Sequence, residues 1–201
     1  MKILIASNNK HKKEEIQKIL DVRNLTSIEI LTPEALGIEI EVDENANTLE
    51  GNAKLKAEAF SKISGLPVIA DDTGLEIELL DKLPGVHSAR FAGINANDAD
   101  NRAKVICMLK EKSEDSSKAR FRTVICMIDN NQTKLFEGIC EGTVQINERG
   151  NNGFGYDPLF VPDGYNITFA EMSSEEKNQI SHRSKAINLF ADYIQTVHTI
   201  S

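Results

Sequence analysis

The chain has 201 residues, 40% of them hydrophobic and 27% charged, with a formal net charge of -8. That length buries a substantial core, in one large domain or a two-lobed one. The acidic balance excludes a surface that coats nucleic acid, which needs a broad excess of Lys and Arg, so any polyanion must meet a local basic pocket.

Residues 2 to 6 read as a buried strand, and a helix opens near Asn9, with Ile16, Ile19 and Leu20 on one face and Ser7, Asn8 or Asn9 as the cap. Lys10, His11, Lys12 and Lys13 crowd that helix start, where the dipole is itself positive. Each such cation costs a few tenths of a kcal/mol, so the run is either tolerated on a solvated face or offset by a bound anion.

A second strand at 28 to 31 precedes Pro33, giving a β-α-β opening. Glu41, Asp43 and Glu44 follow. They either favour a helix N-terminus or, Glu44 together with an aspartate, suffice for Mg²⁺, which needs one or two carboxylates and fills its shell with water and phosphate oxygens. Asn47 and Glu50 make a capping-box-like start to a helix whose face is Leu49, Ala53, Ala57 and Phe60 and which Gly65-Leu66-Pro67 stops.

"PVIA" at 67 to 70 is a short buried strand ending at Asp71-Asp72-Thr73-Gly74, the kind of place where ligands bind in open α/β sheets. In extended chain only one of the two aspartates faces a given side, a rule that a turn at Thr73-Gly74 would relax. The other reading is an Asx-type turn with solvated carboxylates. Ala99, Ala103, Ile106 and Cys107 outline a further helix, and two long β-rich runs flank a hairpin tip at Asp129-Asn130-Asn131-Gln132.

"GNNGFGYDPLF" at 150 to 160 sets glycines around two aromatics. Phe154 or Tyr156 offers a flat face for a base and Asp157 an acceptor edge, unless the glycines serve only the backbone. In "SSEEKNQISHRSKA", Ser173 and Glu176 form a capping box, Lys177 suits a phosphate, and His182 with Arg183 suits a carbonyl-bearing ring; the plain alternative is a surface helix start. Ile187, Phe190, Ala191 and Ile194 then trace a long terminal helix. Alternating helices and strands with an antiparallel middle predict an α/β fold with a mixed sheet and a hairpin lobe. Cys107, Cys126 and Cys140 are odd in number and sit among apolar neighbours, so they read as core fillers in a reducing compartment. No run reaches membrane-spanning length, and a cytoplasmic location is expected.

Together, Ser7-x-Asn9-x-x-Lys12, Glu44, "ADDTGL", "PGVHSARFAG", "GFGYDPLF" and "EEKNQISHR" resemble the inosine triphosphate pyrophosphatase family, the noncanonical purine nucleoside triphosphate pyrophosphatases, from about Lys2 into the terminal helix. The resemblance implies a mixed twisted sheet flanked by helices in one elongated, two-lobed domain over residues 1–201, with the active site in a long cleft. It implies a homodimeric, Mg²⁺-dependent hydrolase that converts ITP, dITP or XTP to the monophosphate and pyrophosphate and so clears damaged purines. From the acidic charge and the absence of a membrane-length run, no nucleic-acid or membrane partner is expected.

Carried over by residue, the family's phosphate segment falls on Ser7, Asn8, Asn9, Lys10, His11 and Lys12. The catalytic, proton-accepting and metal-binding aspartate is Asp72, with Glu44 as a further metal carboxylate. Thr73, Phe154, Gly155, Tyr156, Asp157, Lys177, His182 and Arg183 fall on substrate contacts. Thr73 keeps the hydroxyl of a position where Ser is also found, and Asn8 stands where many members have Gly. His182 and Arg183 as donors would accept a 6-oxo purine and clash with the amino group of adenine. Two rivals are a related pyrophosphatase acting on modified pyrimidines or methylated purines, and a nucleotide sensor that binds without turnover. "DDTG" lacks the D-x-D spacing of haloacid-dehalogenase-type phosphatases, and no G-x-x-x-x-G-K-[ST] loop is present.

Overall fold

The structure is a computed structural model that describes residues 1–130 and 132–199, with backbone only at positions 11, 198 and 199. Strand β1 (Lys2–Ile5) leads into helix α1 (Lys10–Val22), whose start is held by Asn9 Oδ1 accepting the Lys12 N–H at 3.3 Å. Strand β2 (Glu29–Leu31) follows, then helix α2 (Leu49–Ser64), ended by Gly65 at a left-handed φ of 63°. The cap of α2 is Thr48 rather than Asn47, because the Thr48 hydroxyl accepts the Gly51 N–H at 3.0 Å. The face expected from Leu49, Ala53, Ala57 and Phe60 is buried.

Strand β3 runs from Val68 to Ile77, straight through Asp71-Asp72-Thr73-Gly74, so the short strand with a turn at Thr73-Gly74 is corrected to one long strand. What holds it extended comes from far along the chain. Thr73 Oγ1 bonds Thr123 Oγ1 at 2.8 Å, and strand β4 (Pro84–Gly85) pairs antiparallel with the distal half of β3. Helix α3 (Asp98–Glu111) opens with a complete Asn97–Asp100 capping box. It buries Asn101, Val105 and Leu109; of the expected stripe, Ile106 packs half-buried against the same core, while Ala99, Ala103 and Cys107 are exposed. Asn101 goes inward because its amide is matched there: it accepts the Ala92 N–H at 2.8 Å and donates to the Ala89 carbonyl at 3.1 Å.

Strands β5 (Ser116–Asp129) and β6 (Gln132–Gln145) are the two expected β-rich runs; of their tip, Asn131 lies outside the described residues. Strand β7 (Phe160–Pro162), helix α4 (Ser174–Ile180, with the Ser173–Glu176 capping box in place) and helix α5 (His182–Thr199) complete the chain. The seven strands form one sheet in the order β2-β1-β3-β5-β6-β7, with β4 on β3. The sheet is mixed: β1 pairs parallel with β2 and β3, and β6 antiparallel with β7.

The chain divides into two compact units, one of residues 1–72, 124–137 and 185–201 and one of residues 73–123 and 138–184. In the first, strand alternation separates two apolar clusters. Ile3, Ile5, Ile69, Ile125 and Met127 pack with α1 and α5, while Leu4, Ala6, Val68, Ala70, Cys126 and Ile128 pack with α2. Both faces of these strands are therefore covered, which accounts for their continuous apolar runs. The second unit centres on Leu75, Val105, Leu109, Phe121, Phe160 and Phe169.

Cys126 and Cys140 are buried as expected, and burial pushes the Cys126 thiol up to about 11. Cys107 is exposed on α3, because the helix turns its Asn101–Val105–Leu109 face inward. No described helix is long and apolar enough to cross a membrane.

Candidate active site

In the first unit the chain leaves β1 at Ser7, whose Oγ accepts the Asn9 N–H at 3.2 Å, and Asn8 Oδ1 accepts the Glu34 N–H at 3.1 Å. These bonds place the α1 N-terminus, where Lys10 is exposed and the His11 side chain lies outside the described atoms. Lys12 Nζ turns inward. It lies 2.8 Å from both oxygens of Asp71, a carboxylate that is 9% exposed.

Asp72 points the other way along β3, as alternation requires, and meets a lysine that the sequence reading did not single out. Lys56 Nζ lies 3.9 Å from Asp72 Oδ1 and 3.0 Å from Glu44 Oε2. One ammonium thus reaches both carboxylates named as metal ligands. Lys56 is 14% exposed and stands seven residues after Leu49 and four before Phe60, on the apolar stripe of α2. A cation on that stripe was the signal available in the sequence.

Two hard oxygen donors around a single cation suit Mg²⁺, which takes the rest of its shell from water and phosphate. Among the described residues no three His, Cys, Asp or Glu side chains gather as a metal-binding group; Glu44 and Asp72 are two carboxylates within reach of one ammonium.

In the second unit, Thr73 bonds Thr123, and the glycine loop carries Phe154, which is 60% exposed. Tyr156 is 4% exposed, and its hydroxyl donates to the Ser88 carbonyl at 2.8 Å. Burial, then the nearby Asp98 charge, pushes the Tyr156 phenol well above its ordinary range. Tyr156 is therefore a core residue, and of the two aromatics Phe154 is the exposed one. Asp157 is 3% exposed and already engaged: its Oδ2 accepts the Phe154 N–H at 2.9 Å and the Lys177 ammonium at 2.5 Å. A Cβ at Gly153, where φ is +76°, would fall 2.0 Å from that same oxygen, so only glycine lets the loop close on it.

Lys177 stands 5.0 Å from the Phe154 ring centre and the Arg183 guanidinium 5.4 Å from it. His182 is 6% exposed and stacks on Phe121 at 4.6 Å and 14°. Phe121, which sets the imidazole plane, lies in β5, and nothing local in the sequence marks it. Of the named residues, Ser7, Asn8, Asn9, Lys12, Glu44 and Asp72 are arranged within the first unit, and Thr73, Phe154, Gly155, Tyr156, Asp157, Lys177, His182 and Arg183 within the second.

The chain is 47% identical over 193 residues to a dITP/XTP pyrophosphatase of Porphyromonas gingivalis, covering 96% of this chain and 97% of that protein. It is 47% identical over 195 residues to a dITP/XTP pyrophosphatase of Flavobacterium psychrophilum, covering 97% and 100%. Among solved structures it is similar to a HAM1 protein from Coxiella burnetii, with a TM-score of 0.91, 36% identity, and 98% and 99% of the two chains covered. The Staphylococcus aureus Ham1 protein gives 0.87 and 37%, with the same coverage. A model of the Ham1 family matches residues 3–193, and the chain belongs to that family.

Proposed function

We propose that this protein is a dimeric cytoplasmic enzyme that hydrolyses the triphosphates of noncanonical purines, ITP, dITP and XTP, to the monophosphate and pyrophosphate. The name shared by its relatives supports the substrate class. The structural observation that carries the mechanism is the pair of carboxylates, Glu44 and Asp72, that one ammonium reaches.

In this reading Lys12 and the backbone N–H groups at the start of α1 bind the triphosphate, a charge-assisted contact that replaces the bond from Lys12 to Asp71. Asp72 takes the proton of the attacking water, whose oxygen bonds the α-phosphorus; the bond from that phosphorus to the bridging oxygen breaks and pyrophosphate leaves. Glu44 and Asp72 would hold Mg²⁺, which when bound would supply charge neutralisation of the phosphate oxygens. Most of the acceleration is positioning and electrostatics. Phe154 offers its exposed ring to the purine, flanked by the cations of Lys177 and Arg183. His182, its plane set by Phe121, and Arg183 donate to the 6-oxo group.

The test is pyrophosphate release from ITP, dITP, XTP, GTP and ATP, with and without Mg²⁺. Release from the first three with Mg²⁺, and at least about tenfold slower release from ATP, is the expected result, since a site built to donate to a carbonyl rejects an amino group strongly. Absence of Mg²⁺-dependent release from all three sinks the proposal. Sedimentation of the purified protein tests the dimer.

A further inference from the structure

We infer that Asp98 and Arg102 are positioning residues for the purine: helix α3 grips both backbone polar groups of residue Gly155 and thereby fixes Phe154 and Asp157, which stand on either side of it. The Gly155 N–H donates to Asp98 Oδ2 at 2.7 Å, and Arg102 Nη1 donates to the Gly155 carbonyl at 2.9 Å. Arg102 is itself held by Glu148 Oε2, 3.0 Å from its Nε.

The helix doing the gripping is firmly seated. Its cap is Asn97 with Asp100, which leaves the carboxylate of Asp98, the first helical residue, with no capping duty. Three residues on, the buried Asn101 ties α3 to the Ala89 carbonyl and the Ala92 N–H. The loop being gripped needs it. Gly150, Gly153 and Gly155 all adopt positive φ, and such a segment has much backbone freedom to lose on ordering. Two charged side chains on a rigid helix meet that loss before substrate arrives.

The grip lies next to a working feature. Phe154, one residue earlier, is a large apolar residue 60% exposed with two cations near its ring, and its own N–H is tied to Asp157. Loosening Gly155 frees the ring and the carboxylate together. The phosphate end belongs to other residues, so the loss should appear in KM and spare kcat.

The inference rests on the proposed reaction, and one experiment separates the two. KM and kcat for dITP and the thermal midpoint are measured for the wild type, Asp98→Ala, Asp98→Asn, Arg102→Ala and Phe154→Ala, and for Asp98→Ala combined with Phe154→Ala. The expected result is a KM raised about five- to tenfold in Asp98→Ala and Arg102→Ala with kcat within about twofold, because charge-assisted bonds at a partly exposed site are of modest strength. Asp98→Asn, which keeps an acceptor oxygen, restores most of the loss. Once the ring is gone, Asp98→Ala should cost less than about twofold more, since residues acting through one another are not additive. The inference is overturned by an unchanged KM in both alanine variants, by an equal KM increase with and without Phe154, or by a fall in kcat and thermal midpoint at constant KM. A wild type that does not release pyrophosphate overturns the reaction itself and this inference with it.

Discussion

Asp71 and Asp72 are adjacent along β3 yet meet different lysines, Lys12 at 2.8 Å from the first and Lys56 at 3.9 Å from the second. The two carboxylates are therefore not interchangeable, and only Asp72 shares a cation with Glu44. Asp72→Asn should lower kcat for dITP by about 10²–10⁴, the usual worth of a positioned general base, with nucleotide binding by calorimetry nearly unchanged. Asp71→Asn should lose less than about tenfold in the same assay, since the proposed mechanism gives the proton to Asp72 and not to Asp71. A near-normal rate in Asp72→Asn removes it from the proton-accepting role.

Lys56 offers its ammonium to both carboxylates, at 3.0 Å from Glu44 and 3.9 Å from Asp72. Lys56→Met should lower unfolding stability by about 1 kcal/mol without Mg²⁺, a small figure because Glu44 is 32% exposed. Adding Mg²⁺ should raise the melting temperature of the variant more than that of the wild type, as the ion takes over the charge of the lysine. Equal Mg²⁺ responses would count against Glu44 and Asp72 as a shared ion site.

The Lys177–Asp157 pair is nearly sealed, its side chains 17% and 4% exposed. Lys177→Met strands the Asp157 carboxylate in a low-dielectric setting, with an expected cost of about 3–5 kcal/mol in urea unfolding. Adding Asp157→Asn to that variant should recover a large part of the loss, because the amide needs no counter-charge. If Lys177→Met alone unfolds like the wild type, the pair has no structural part in holding the glycine loop.

Glu76 lies between Arg122 and Arg120, with guanidinium contacts at 2.9 and 2.8 Å. Burial by itself would push its carboxyl upward, but the bonds and charges of Arg122 and Arg120 outweigh this and hold it below 4.5. A carboxyl with a depressed folded pKa contributes stability above its unfolded value and loses it as pH falls through the folded one. Chemical unfolding followed downward from pH 7 should therefore show the wild type losing stability below about 4.5 more steeply than Glu76→Gln. Parallel acid limbs would show that the two arginines do not select the charged form.

Short-range pattern made much of this legible. The Ile16–Ile19–Leu20 and Ile187–Ile194 stripes, the Ser173–Glu176 box and the stop at Gly65 depend on residues a turn or two apart, so the sequence displays both partners at once. The order of the Ser7–Lys12, Glu44, Asp72, Phe154 and His182 segments likewise pointed to one family. What stayed hidden involved a distant partner. Thr73 reads as a turn former until Thr123 bonds it, and Ala103 as a buried position until Asn101 finds its amide partners at Ala89 and Ala92.

The amino-acid order by itself determined the helices, the apolar strands and the residue types the proposed chemistry uses, because side-chain periodicity and capping are local. Only the tertiary structure decided that Lys56 stands at Glu44 and Asp72, that Tyr156 faces the core while Phe154 does not, and that Asp98 and Arg102 hold Gly155. Each of these is a meeting of charges or polar groups far apart in the chain, and its strength depends on the distance and burial that folding sets.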